Sequence, residues 1–549
     1  MDVYDVIIVG GGGSGAPLAA RLSEDRECNV LLLEAGCDHT TTDSFPFEVR
    51  FSGAIGAALP GNPNNWPLMG QLTPDLSYPV PRGKIIGGST SVNGTGFTRA
   101  RKSDFDRWVA AGNCEWSYDA VLPYMIKLER DLEFGDQEHH GTGGPMPVNR
   151  DRHNPHPVTS AFYGACAELG YPEEADKNGE QAIGYGPVPR NAVDGLRYNT
   201  AICYLNPVRS RPNLVVRANT LVRKIVFKGT VATGVEVSDS RGTEVIEGRE
   251  IVLCAGAIKT PQILLLSGVG PTTQLAEHGI PVVRDLPGVG EDMMDHPDVE
   301  LTWRPKHKMA SKRQRDSFQA CLNFTSQDAT CEGDIEILPT IKPIAAMLLA
   351  REDSVVRAAL TFIGRVPAAL KQLKGTPLKR LIADMAHRND LFIVVALQQE
   401  DARGRVTLQS ADPTHAPRVE FNYMSSERDR RRMREAVRTT ASLLTSHAFS
   451  SIFDRLTDLA PAILNSDDKL DEWVTGHLAP TFHATSTCRM GADDDPRVVV
   501  DQRGRVRGVQ GLRVGDVSIC PTIPTRGPCN TAIMIGERMA DFIKEDRAA

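Results

Sequence analysis

The feature that most constrains this chain is a short apolar run that leads directly into a cluster of glycines. The run ends at Val9, five glycines and one serine follow, and residues 16–22 have the composition of a helix. A strand, a turn and a helix in this order are the context in which a Gly-x-Gly-x-x-Gly pattern indicates a dinucleotide-binding unit. Gly10 permits a sharp turn, Gly12 permits close approach of a pyrophosphate, and Gly15 permits close packing of the helix on the strand. The free N–H groups at the helix N-terminus favour phosphate binding.

A second apolar run, residues 30–33, ends in Glu34. A carboxylate about 20 residues past the glycines is placed to hold the hydroxyl pair of a ribose, and it would repel the extra phosphate of NADP. A glycine-rich turn without any ligand is disfavoured, because strand, turn, helix, strand and acid follow one another in order. These motifs do not by themselves distinguish FAD from NAD.

Composition bounds the class of protein. A chain of 549 residues predicts more than one domain, and 41% hydrophobic with 24% charged residues is typical of a soluble globular enzyme. The net charge of −7 offers no electrostatic basis for binding nucleic acid. The 11 cysteines show no clustered spacing, which indicates a reducing compartment and buried thiols.

Residues 1–9 already form the first predicted strand, so we expect no signal peptide. No uncharged apolar run reaches the ~20 residues that span a bilayer, so we predict no transmembrane segment. We expect a cytoplasmic protein, and peripheral contact with the inner membrane stays open.

Several segments further along the chain are candidates for ligand contact. Residues 36–80 are predicted to be a long loop. Trp66 in this loop has two equally good interpretations, contact with a ligand and half-buried packing. Residues 82–96 are dense in small and hydroxyl residues, which let backbone lie against a flat or charged ligand; a flexible loop is the plain alternative. The strand at 250–253 runs into Ala255, Gly256 and a helix, a second glycine crossing suited to the same nucleotide.

The middle of the chain has a different character. A helix is predicted at 102–111 with Asp104 facing water, and charged helical stretches are predicted at 344–385. Strands near 391–408 predict an α+β insertion with an antiparallel sheet. The Arg-rich run at 427–438 favours a solvated amphipathic helix over nucleic-acid binding.

Four histidines, His139, His140, His153 and His156, are candidates for metal binding. No cysteine or carboxylate stands at zinc-like spacing beside them, so a loop crossing between domains is favoured and no metal is predicted. Near the C-terminus, His483 lies among small and hydroxyl residues, and a strand at 512–514 runs towards Asp516. The first and last segments are therefore predicted to share one domain, with a C-terminal helix at 532–544.

Four separated segments together resemble the glucose–methanol–choline (GMC) family of flavin oxidoreductases. They are the N-terminal glycines with Glu34, residues 83–93, residues 256–270, and the region of His483 and Asp516. The resemblance extends over essentially the whole chain, and the signature at 256–270 is highly specific. Residues 64–66 and 131–136 also resemble bacterial branches of the family, the hydroxymethylfurfural-type oxidases and the mycofactocin-associated dehydrogenases.

The resemblance implies a bi-lobed GMC fold, with an α/β, Rossmann-like FAD-binding domain and an α+β substrate-binding domain that contains an antiparallel sheet. The FAD-binding domain is expected to be discontinuous, with residues 1–155, 200–296 and 485–549. The substrate-binding domain is expected to comprise residues 156–199 and 297–484.

The resemblance also implies how FAD is held. Val222 would contact adenine through its backbone, Asn93 to Gly96 would line the isoalloxazine, and Asp516 with Val517 would lie near the ribityl and phosphate. Some family members carry a flavin-linked histidine where this chain has Val92, so FAD should be noncovalent. The expected cofactor-binding residues are Gly10, Gly12, Gly13, Ser14, Gly15, Glu34, Ala35, Trp66, Gly87, Gly88, Ser89, Asn93, Gly94, Thr95, Gly96, Val222, Ala255, Gly256, Phe482, Asp516 and Val517.

By the same resemblance, His483 is the catalytic base. An alcohol must lose its O–H proton while a hydride leaves its carbon for flavin N5, and a group that titrates near neutral pH can accept that proton. The family places a second His or Asn where this chain has Cys529, followed by Asn530. Because a thiol is a weak donor, we expect Asn530 to supply the hydrogen bond and Cys529 to pack. The alternative is that Asn530 caps the following helix.

These inferences predict FAD-dependent oxidation of a primary or secondary alcohol to an aldehyde or ketone. The expected partners are a small-molecule alcohol and an electron acceptor other than NAD, which is a quinone, a redox peptide or O2. Thr481, a polar residue where some oxidases have valine, favours a dehydrogenase over a fast oxidase. The alternatives are a non-redox lyase on the same scaffold, a nucleotide-binding protein without turnover, and an NAD dehydrogenase.

Overall fold

The structure, a computed structural model, describes residues 3–152, 155–309, 316–343, 346–347 and 389–549. His153 and, apart from 346–347, the stretch 344–385 that was predicted to be helical lie outside the described residues. The described α-helices are Gly15–Leu22, Phe47–Arg50, Lys102–Ala110, Tyr118–Leu128, Pro157–Glu168, Gly256–Leu266, Thr272–Glu277, Glu427–Leu444, Pro461–Leu464, Asp467–His477 and Cys529–Ala548.

The first sheet has seven strands and contains the N-terminal motif. Its parallel part is built on the first apolar run, because both neighbours of Tyr4–Val9 run in the same direction as this strand. Helix Gly15–Leu22 forms the crossover to the second strand, as the glycine pattern predicts. The strands in spatial order are Leu214–Arg217, Val30–Leu33, Tyr4–Val9, Gly242–Leu253, Val231–Asp239 and Leu221–Lys228, with Leu512–Val514 also paired to Gly242–Leu253.

Close packing between the first strand and the first helix requires glycine. A Cβ atom on Gly15 would lie 2.0 Å from the Gly10 carbonyl oxygen, and Gly10 itself has φ 106°. The carboxyl ends of the parallel strands meet at one edge of the sheet, where open α/β sheets bind their ligands. Glu34, Gly256 and Asp516 all follow strands that end at this edge.

The second sheet also has seven strands, and all of its described pairings are antiparallel. The antiparallel sheet predicted for the middle of the chain is therefore confirmed. One face packs on a hydrophobic core with helices Pro157–Glu168 and Glu427–Leu444. The strands in spatial order are Phe453–Leu456, Pro297–Pro305, Leu391–Leu397, Ile335–Pro339, Ala320–Phe324 and Tyr185–Pro187, with Leu478–Pro480 also paired to Pro297–Pro305.

A four-stranded sheet corrects the loop predicted at residues 36–80. Strands Met69–Thr73 and Leu76–Pro79 form a hairpin, which pairs in parallel with Arg418–Glu420; Arg405–Thr407 completes the sheet. Its partner strands are more than 300 residues away in sequence, so local periodicity could not reveal it. This sheet joins two segments that were expected in different domains, and the domain boundaries stay a prediction. Three two-stranded ribbons accompany these sheets within the described ranges, and isolated bridges supply further pairing. The ribbons are Glu129–Asp131 with Met146–Val148, Ala192–Val193 with Leu196–Arg197, and Val269–Gly270 with Arg284–Asp285.

Asp104 does not face water, so that expectation was wrong. Its side chain is 0% exposed, and its carboxylate accepts hydrogen bonds from the Thr525 N–H at 2.9 Å and the Thr525 hydroxyl at 3.2 Å. It thereby holds the loop that leads into helix Cys529–Ala548. The helical pattern alone placed Asp104 on the solvent-exposed face. It is buried instead because it contacts Thr525, more than 400 residues away in sequence.

The cysteines and the apolar helices bear on two further expectations, buried thiols and the lack of a transmembrane segment. All 11 cysteines are free, and most of them are buried. Among the described residues, no helix combines the length and the apolarity that crossing a bilayer requires.

Candidate active site

A cavity of about 710 Å³ lies where the carboxyl edge of the first sheet meets one face of the antiparallel sheet. Most of the residues that were predicted to bind cofactor or substrate line it. These are Gly10, Gly12, Gly13, Ser14, Glu34, Ala35, Trp66, Gly88, Ser89, Asn93, Gly94, Gly96, Val222, Ala255, Gly256, Phe482, His483, Asp516, Val517 and Cys529.

Four predicted site residues, Gly15, Gly87, Thr95 and Asn530, are not in the lining. Gly15 packs against the Gly10 backbone, as described above. Gly87 has φ 85° and donates its N–H to the Gly11 carbonyl at 2.8 Å, so it joins the two glycine segments. Thr95 has φ 64° and donates its N–H to Asn93 Oδ1 at 3.2 Å. These three shape the cavity wall rather than face the cavity.

The glycines of the lining make a cradle for a flat, charged ligand. A Cβ atom on Gly88 would lie 2.7 Å from the Gly12 Cα, so the two glycine segments touch backbone to backbone. A Cβ atom on Gly94, Gly96 or Gly256 would meet no described atom within 4 Å, because these residues face open space. Backbone that borders open space without side chains in the way fits a dinucleotide cofactor such as FAD.

Glu34 is held where the first two parallel strands end. Its Oε2 atom accepts the Gly11 N–H at 2.9 Å and its Oε1 atom accepts the Gly36 N–H at 2.7 Å. Burial raises the pKa of this carboxyl to about 7. The residue thus organises the glycine turn in addition to facing the cavity where a ribose was expected.

The Asp516 carboxylate fixes the glycine turn between strand Gly242–Leu253 and helix Gly256–Leu266. Its Oδ2 atom accepts the Gly256 N–H at 2.8 Å and the Thr260 hydroxyl at 2.6 Å. Its Oδ1 atom accepts the Ser518 N–H at 2.9 Å. The carboxylate therefore ties the last parallel strand to the start of helix Gly256–Leu266, at the edge where the cavity opens.

His483 is held rigidly from one side. Its backbone N–H donates to Asp295 Oδ1 at 2.6 Å, and its ring Nδ1 lies 2.9 Å from His296 Nδ1 and 3.0 Å from the Thr481 hydroxyl. Phe482, just before it, has φ 66°, an uncommon backbone state that persists at functional sites when the surroundings enforce it. The other edge of the ring, with Nε2, faces Gly527 in the cavity lining.

The contacts of His296 assign the tautomer of His483. His296 Nε2 lies 3.0 Å from the Pro524 carbonyl oxygen, which can only accept, so Nε2 carries the proton of a neutral ring. His296 Nδ1 is then an acceptor, and His483 Nδ1 must be the donor across the 2.9 Å contact. A neutral His483 that is protonated at Nδ1 leaves a lone pair on Nε2, the nitrogen that faces the cavity.

The electrostatics keep both rings neutral. Burial lowers the pKa of His483 well below its ordinary value, and the nearby His296 ring and Arg82 guanidinium lower it further. Burial lowers the pKa of His296 to about 3. Near neutral pH, His483 is therefore available as a base rather than held as an imidazolium.

The structure reverses the expected orientation of Cys529 and Asn530. Helix Cys529–Ala548 begins at Cys529, so Asn530 lies inside the first turn and cannot be its N-cap. Asn530 is 0% exposed and neither of its amide atoms has a described hydrogen-bond partner, whereas Cys529 lines the cavity. Asn93 Nδ2 lies 3.5 Å from the Cys529 sulfur, and burial raises the pKa of this thiol to about 12.

Two lysine side chains lie over the ring of Trp66. The Nζ atoms of Lys84 and Lys259 lie 4.9 and 4.2 Å from the centroid of its ring, within the range of a cation–π contact. Burial lowers the pKa of Lys259 to about 8, with a further contribution from Lys84. Trp66 and Lys259 both line the cavity.

The histidine-rich segment holds a buried ion network. Glu129, Asp131 and His140 stand close enough to bind a metal, but His140 Nε2 already lies 2.8 Å from Asp176. Arg150 donates to both oxygens of Asp131 at 2.9 and 2.8 Å. Hydrogen bonds that the His140 ring donates to the carboxylates of Asp131, Asp176 and Glu129 raise its pKa to about 10 against the opposing effect of burial. Arg150 and the protonated His140 therefore already bind the carboxylates that a metal ion would need as ligands.

Sequence reasoning missed the residues that support His483. Asp295, His296 and Arg82 are polar groups without a motif of their own, and only their packing around His483 reveals a role. The one local signal was the polar pair Asp295–His296 directly before an alternating strand. Three carboxylates of the antiparallel sheet, Asp298, Glu300 and Glu336, also line the cavity and were not predicted.

Comparisons with known proteins agree with this architecture. Two family models described as GMC oxidoreductase match residues 4–298 and 400–536. An uncharacterized GMC-type oxidoreductase of Rhodococcus erythropolis is 38% identical over 546 residues, which cover 99% of each chain. An oxygen-dependent choline dehydrogenase of Klebsiella pneumoniae is 36% identical over 557 residues, with 98% of this chain and 96% of the relative covered.

Solved structures show the same fold. Pyridoxine 4-oxidase from Mesorbium loti superimposes with a TM-score of 0.83 at 26% identity, and the match covers 99% of both chains. Formate oxidase superimposes with a TM-score of 0.84 at 23% identity. The GMC fold with a mixed α/β sheet and an antiparallel sheet is thus confirmed. The chain belongs to the glucose–methanol–choline family of oxidoreductases.

Proposed function

We propose that this protein oxidises an alcohol to an aldehyde or ketone with noncovalently bound FAD, and that His483 Nε2 removes the hydroxyl proton. The observation that carries the proposal is the contact between His296 and His483, which leaves an unprotonated nitrogen facing the cavity. Two of the relatives, a choline dehydrogenase and a pyridoxine 4-oxidase, are alcohol-oxidising members of the family, which supports the proposal.

The residues that would hold FAD are the glycine cradle, Glu34 and Asp516. Open space over Gly94 and Gly96 accommodates a flat ring system against the backbone. Val92 has no nucleophile, which supports noncovalent binding. When bound, FAD supplies the two-electron acceptor for the hydride that leaves the alcohol carbon.

His483 performs the proton transfer. In its neutral form it accepts a hydrogen bond from the alcohol at Nε2, and as the C–H bond breaks it takes the proton and becomes an imidazolium. Thr481 and the Asp295 carboxylate hold the ring and its backbone in place during this step. General-base catalysis of this kind is typically worth ~10²–10⁴ in rate.

The second polar group at the site is assigned to the pair of Asn93 and Cys529 instead of Asn530. Both line the cavity and contact each other, so the Asn93 amide can donate to the alcohol oxygen while the protonated thiol packs beside it. A thiolate would repel the developing alkoxide, and the raised pKa of Cys529 prevents this. Asn530 is buried and is not among the residues that line the cavity.

The electron acceptor is proposed to be a quinone or a redox peptide rather than O2. Thr481 places a polar hydroxyl in the cavity wall beside the base, where an apolar side chain would ease the approach of an apolar gas. Reoxidation of the reduced enzyme by air and by a soluble quinone should be compared. Reoxidation by air at the rate of turnover would contradict this assignment.

The test of the function is anaerobic reduction of the purified flavoprotein by a panel of primary and secondary alcohols. Bleaching of the flavin by an alcohol separates oxidation from a lyase reaction and from nucleotide binding without turnover. His483→Ala should lower the rate of reduction by ~10²-fold or more and retain FAD. His415, whose side chain is 64% exposed, provides the matched control His415→Ala, which should reduce normally. Normal reduction of His483→Ala would refute the assigned base.

A further inference from the structure

We propose that Lys84 and Lys259, two lysines that lie over the ring of Trp66, form a cationic site for the diphosphate group of FAD. The glycine turns of the cradle approach such a group with backbone, and the two lysines add positive charge beside them. The inference rests on the proposed binding of FAD and adds the side chains that neutralise the charge of this cofactor.

Lys259 borders the cavity because of its position on helix Gly256–Leu266. Residues three apart lie on one face of an α-helix, so Lys259 shares a face with Gly256. Both residues line the cavity, and a Cβ atom on Gly256 would meet no described atom within 4 Å. The axial rise between the two residues is only about 4.5 Å. The Lys259 side chain therefore starts beside the open space at the Gly256 turn.

A chain of hydrogen bonds fixes the direction of the Lys259 side chain. Gln262 donates from Nε2 to the His415 carbonyl oxygen at 2.8 Å, which leaves its Oε1 atom as an acceptor. The Lys259 ammonium group donates to this Oε1 atom at 2.8 Å. Gln262 is buried and also lines the cavity. Because an ammonium group has three donors, Lys259 keeps two of them for the Trp66 ring and for a ligand.

Lys84 belongs to the second glycine segment of the cradle. It precedes Gly87 by three residues, and Gly87 donates its N–H to the Gly11 carbonyl in the first glycine turn at 2.8 Å. The Lys84 carbonyl oxygen would lie 2.0 Å from a Cβ atom on Gly36, so the two segments pack backbone to backbone. This packing holds Lys84 next to the cradle, and its Nζ atom lies 4.9 Å from the centroid of the Trp66 ring.

Neither lysine has an acidic partner in the part of the chain that the structure describes. Lys177, another buried lysine, forms an ion pair with Glu174 at 2.7 Å. No described carboxylate oxygen lies within 4.0 Å of the ammonium nitrogen of Lys84 or Lys259. Two ammonium groups over one ring repel each other, and burial takes Lys259 partly out of water. An anion bound beside them would offset both costs.

The acid of the N-terminal motif does not neutralise this pair. Lys84 acts electrostatically on Glu34, but both oxygens of that carboxyl accept backbone N–H groups. Burial raises the pKa of Glu34 to about 7, so the carboxyl is only partly ionised at neutral pH. Burial and the charge of Lys84 lower the pKa of Lys259 to about 8, so its ammonium form still predominates there. The three groups together carry a net positive charge at neutral pH.

The diphosphate of FAD is the anion that matches this position. It carries two negative charges, and lysine pairs with phosphate as a point charge. Each lysine is three residues from a glycine of the cradle, Gly87 or Gly256, a span of at most about 10 Å. A carboxylate on the substrate is another anion that could bind the lysines. FAD is favoured because its diphosphate is expected in the cradle itself.

The first test measures how fast FAD leaves the holoenzyme after dilution, followed by the fluorescence of the released cofactor. Lys259→Met keeps the length of the side chain and removes its charge. It should speed release by about 10-fold or more, the value of one hydrogen bond between charged groups. Lys84→Met should also speed release, whereas Lys259→Arg keeps the charge and should release FAD at nearly the unsubstituted rate. Lys228→Met, at an exposed position, is the matched control and should match the unsubstituted protein.

The second test records the phosphorus NMR spectrum of the holoenzyme, in which the diphosphate of FAD supplies the phosphorus signals. The resonances of the bound diphosphate should shift in Lys259→Met, because a positive charge beside the phosphate oxygens is lost. They should stay in place in Lys228→Met. This readout reports on the phosphate groups directly and does not depend on activity.

Release rates and phosphorus resonances that are unchanged in Lys259→Met and Lys84→Met would overturn the proposal. Faster release with unchanged resonances would place the lysines at another part of FAD and would overturn the diphosphate assignment. Both tests use bound FAD without an alcohol. They therefore judge the lysine site even if no alcohol reduces the flavin, the result that would refute the proposed oxidation.

Discussion

The Nδ1 atoms of His296 and His483 lie 2.9 Å apart, and this contact determines which nitrogen of His483 can act as a base. The proton of the neutral His296 ring is committed to the Pro524 carbonyl, so His483 must donate from Nδ1 and keep the lone pair on Nε2. A buried histidine 187 residues away in sequence thus sets the protonation of the cavity-facing ring. His296 is a positioning residue, because it acts through His483.

The first prediction removes that acceptor. His296→Phe should slow flavin reduction by about 10-fold or more, since His483 loses the partner that holds its tautomer. His296→Gln keeps a side-chain acceptor and should recover part of the rate. The loss should appear in kcat more than in KM, measured by anaerobic stopped-flow reduction with FAD content as the folding control. A fully active His296→Phe would show that the contact only fills space.

The second prediction concerns pH. His483 must be unprotonated to act, and its pKa is lowered by burial and by the charges nearby. The rate of reduction should therefore be level at pH 7–8 and fall only well below the ordinary histidine value of about 6.5. Arg82→Gln removes a positive charge and should raise the pKa of His483, which moves this acid limb to higher pH. Arg431→Gln, at an exposed position, should leave the limb in place. If the acid limb of the Arg82→Gln profile stays in place or moves to lower pH, the electrostatic coupling between Arg82 and His483 is contradicted.

The third prediction tests the space beside the base. A Cβ atom on Gly527 would lie 3.3 Å from both Cε1 and Nε2 of His483, closer than an ordinary van der Waals contact. Gly527→Ala should therefore slow flavin reduction with FAD still bound, because the methyl group crowds the nitrogen that binds the alcohol. Gly476→Ala is the matched control, since a Cβ atom there meets nothing within 4 Å. Equal rates in the two variants would show that the alcohol approaches His483 from elsewhere.

The fourth prediction compares the two residues at the start of the last helix. Cys529→Ala should slow reduction, because it removes the contact to Asn93 in the cavity wall. Asn530→Ala should reduce at a near-normal rate, because its side chain is not in the cavity lining. Asn93→Ala should slow flavin reduction more than Cys529→Ala does, by ~10²-fold, because it removes a hydrogen-bond donor from the developing oxyanion. A slow Asn530→Ala with normal Cys529→Ala would restore the original assignment.

The fifth prediction concerns the cofactor linkage. Acid precipitation of the purified protein should release all of the yellow colour to the supernatant, because Val92 offers no atom for a covalent bond. Yellow colour that stays in the pellet would identify a linkage through another side chain.

Local sequence was sufficient to identify the nucleotide-binding motifs and the two kinds of sheet. Gly10 and Glu34 were recognisable because a strand, a tight turn and a helix place strict conformational demands on neighbouring residues. The antiparallel sheet was recognisable from the strand at 391–397, whereas the predicted strand at 405–408 belongs to the four-stranded sheet. The amphipathic helix Glu427–Leu444 was recognisable from its mix of charged and apolar residues. His483 was found through a resemblance that extends over the whole chain.

Contacts between residues far apart in sequence could not be read from local patterns and became visible only in the folded chain. The partner of His483, the burial of Asp104 and the pairing of strand Met69–Thr73 with Arg418–Glu420 all depend on contacts across more than 100 residues, which no local period encodes. Whether Cys529 or Asn530 faces the cavity depended on where the helix begins, because successive helical residues point about 100° apart. Which residues of neighbouring strands stand opposite each other, such as Asp298 and Ala396, likewise depended on strand register, which packing sets and local sequence does not.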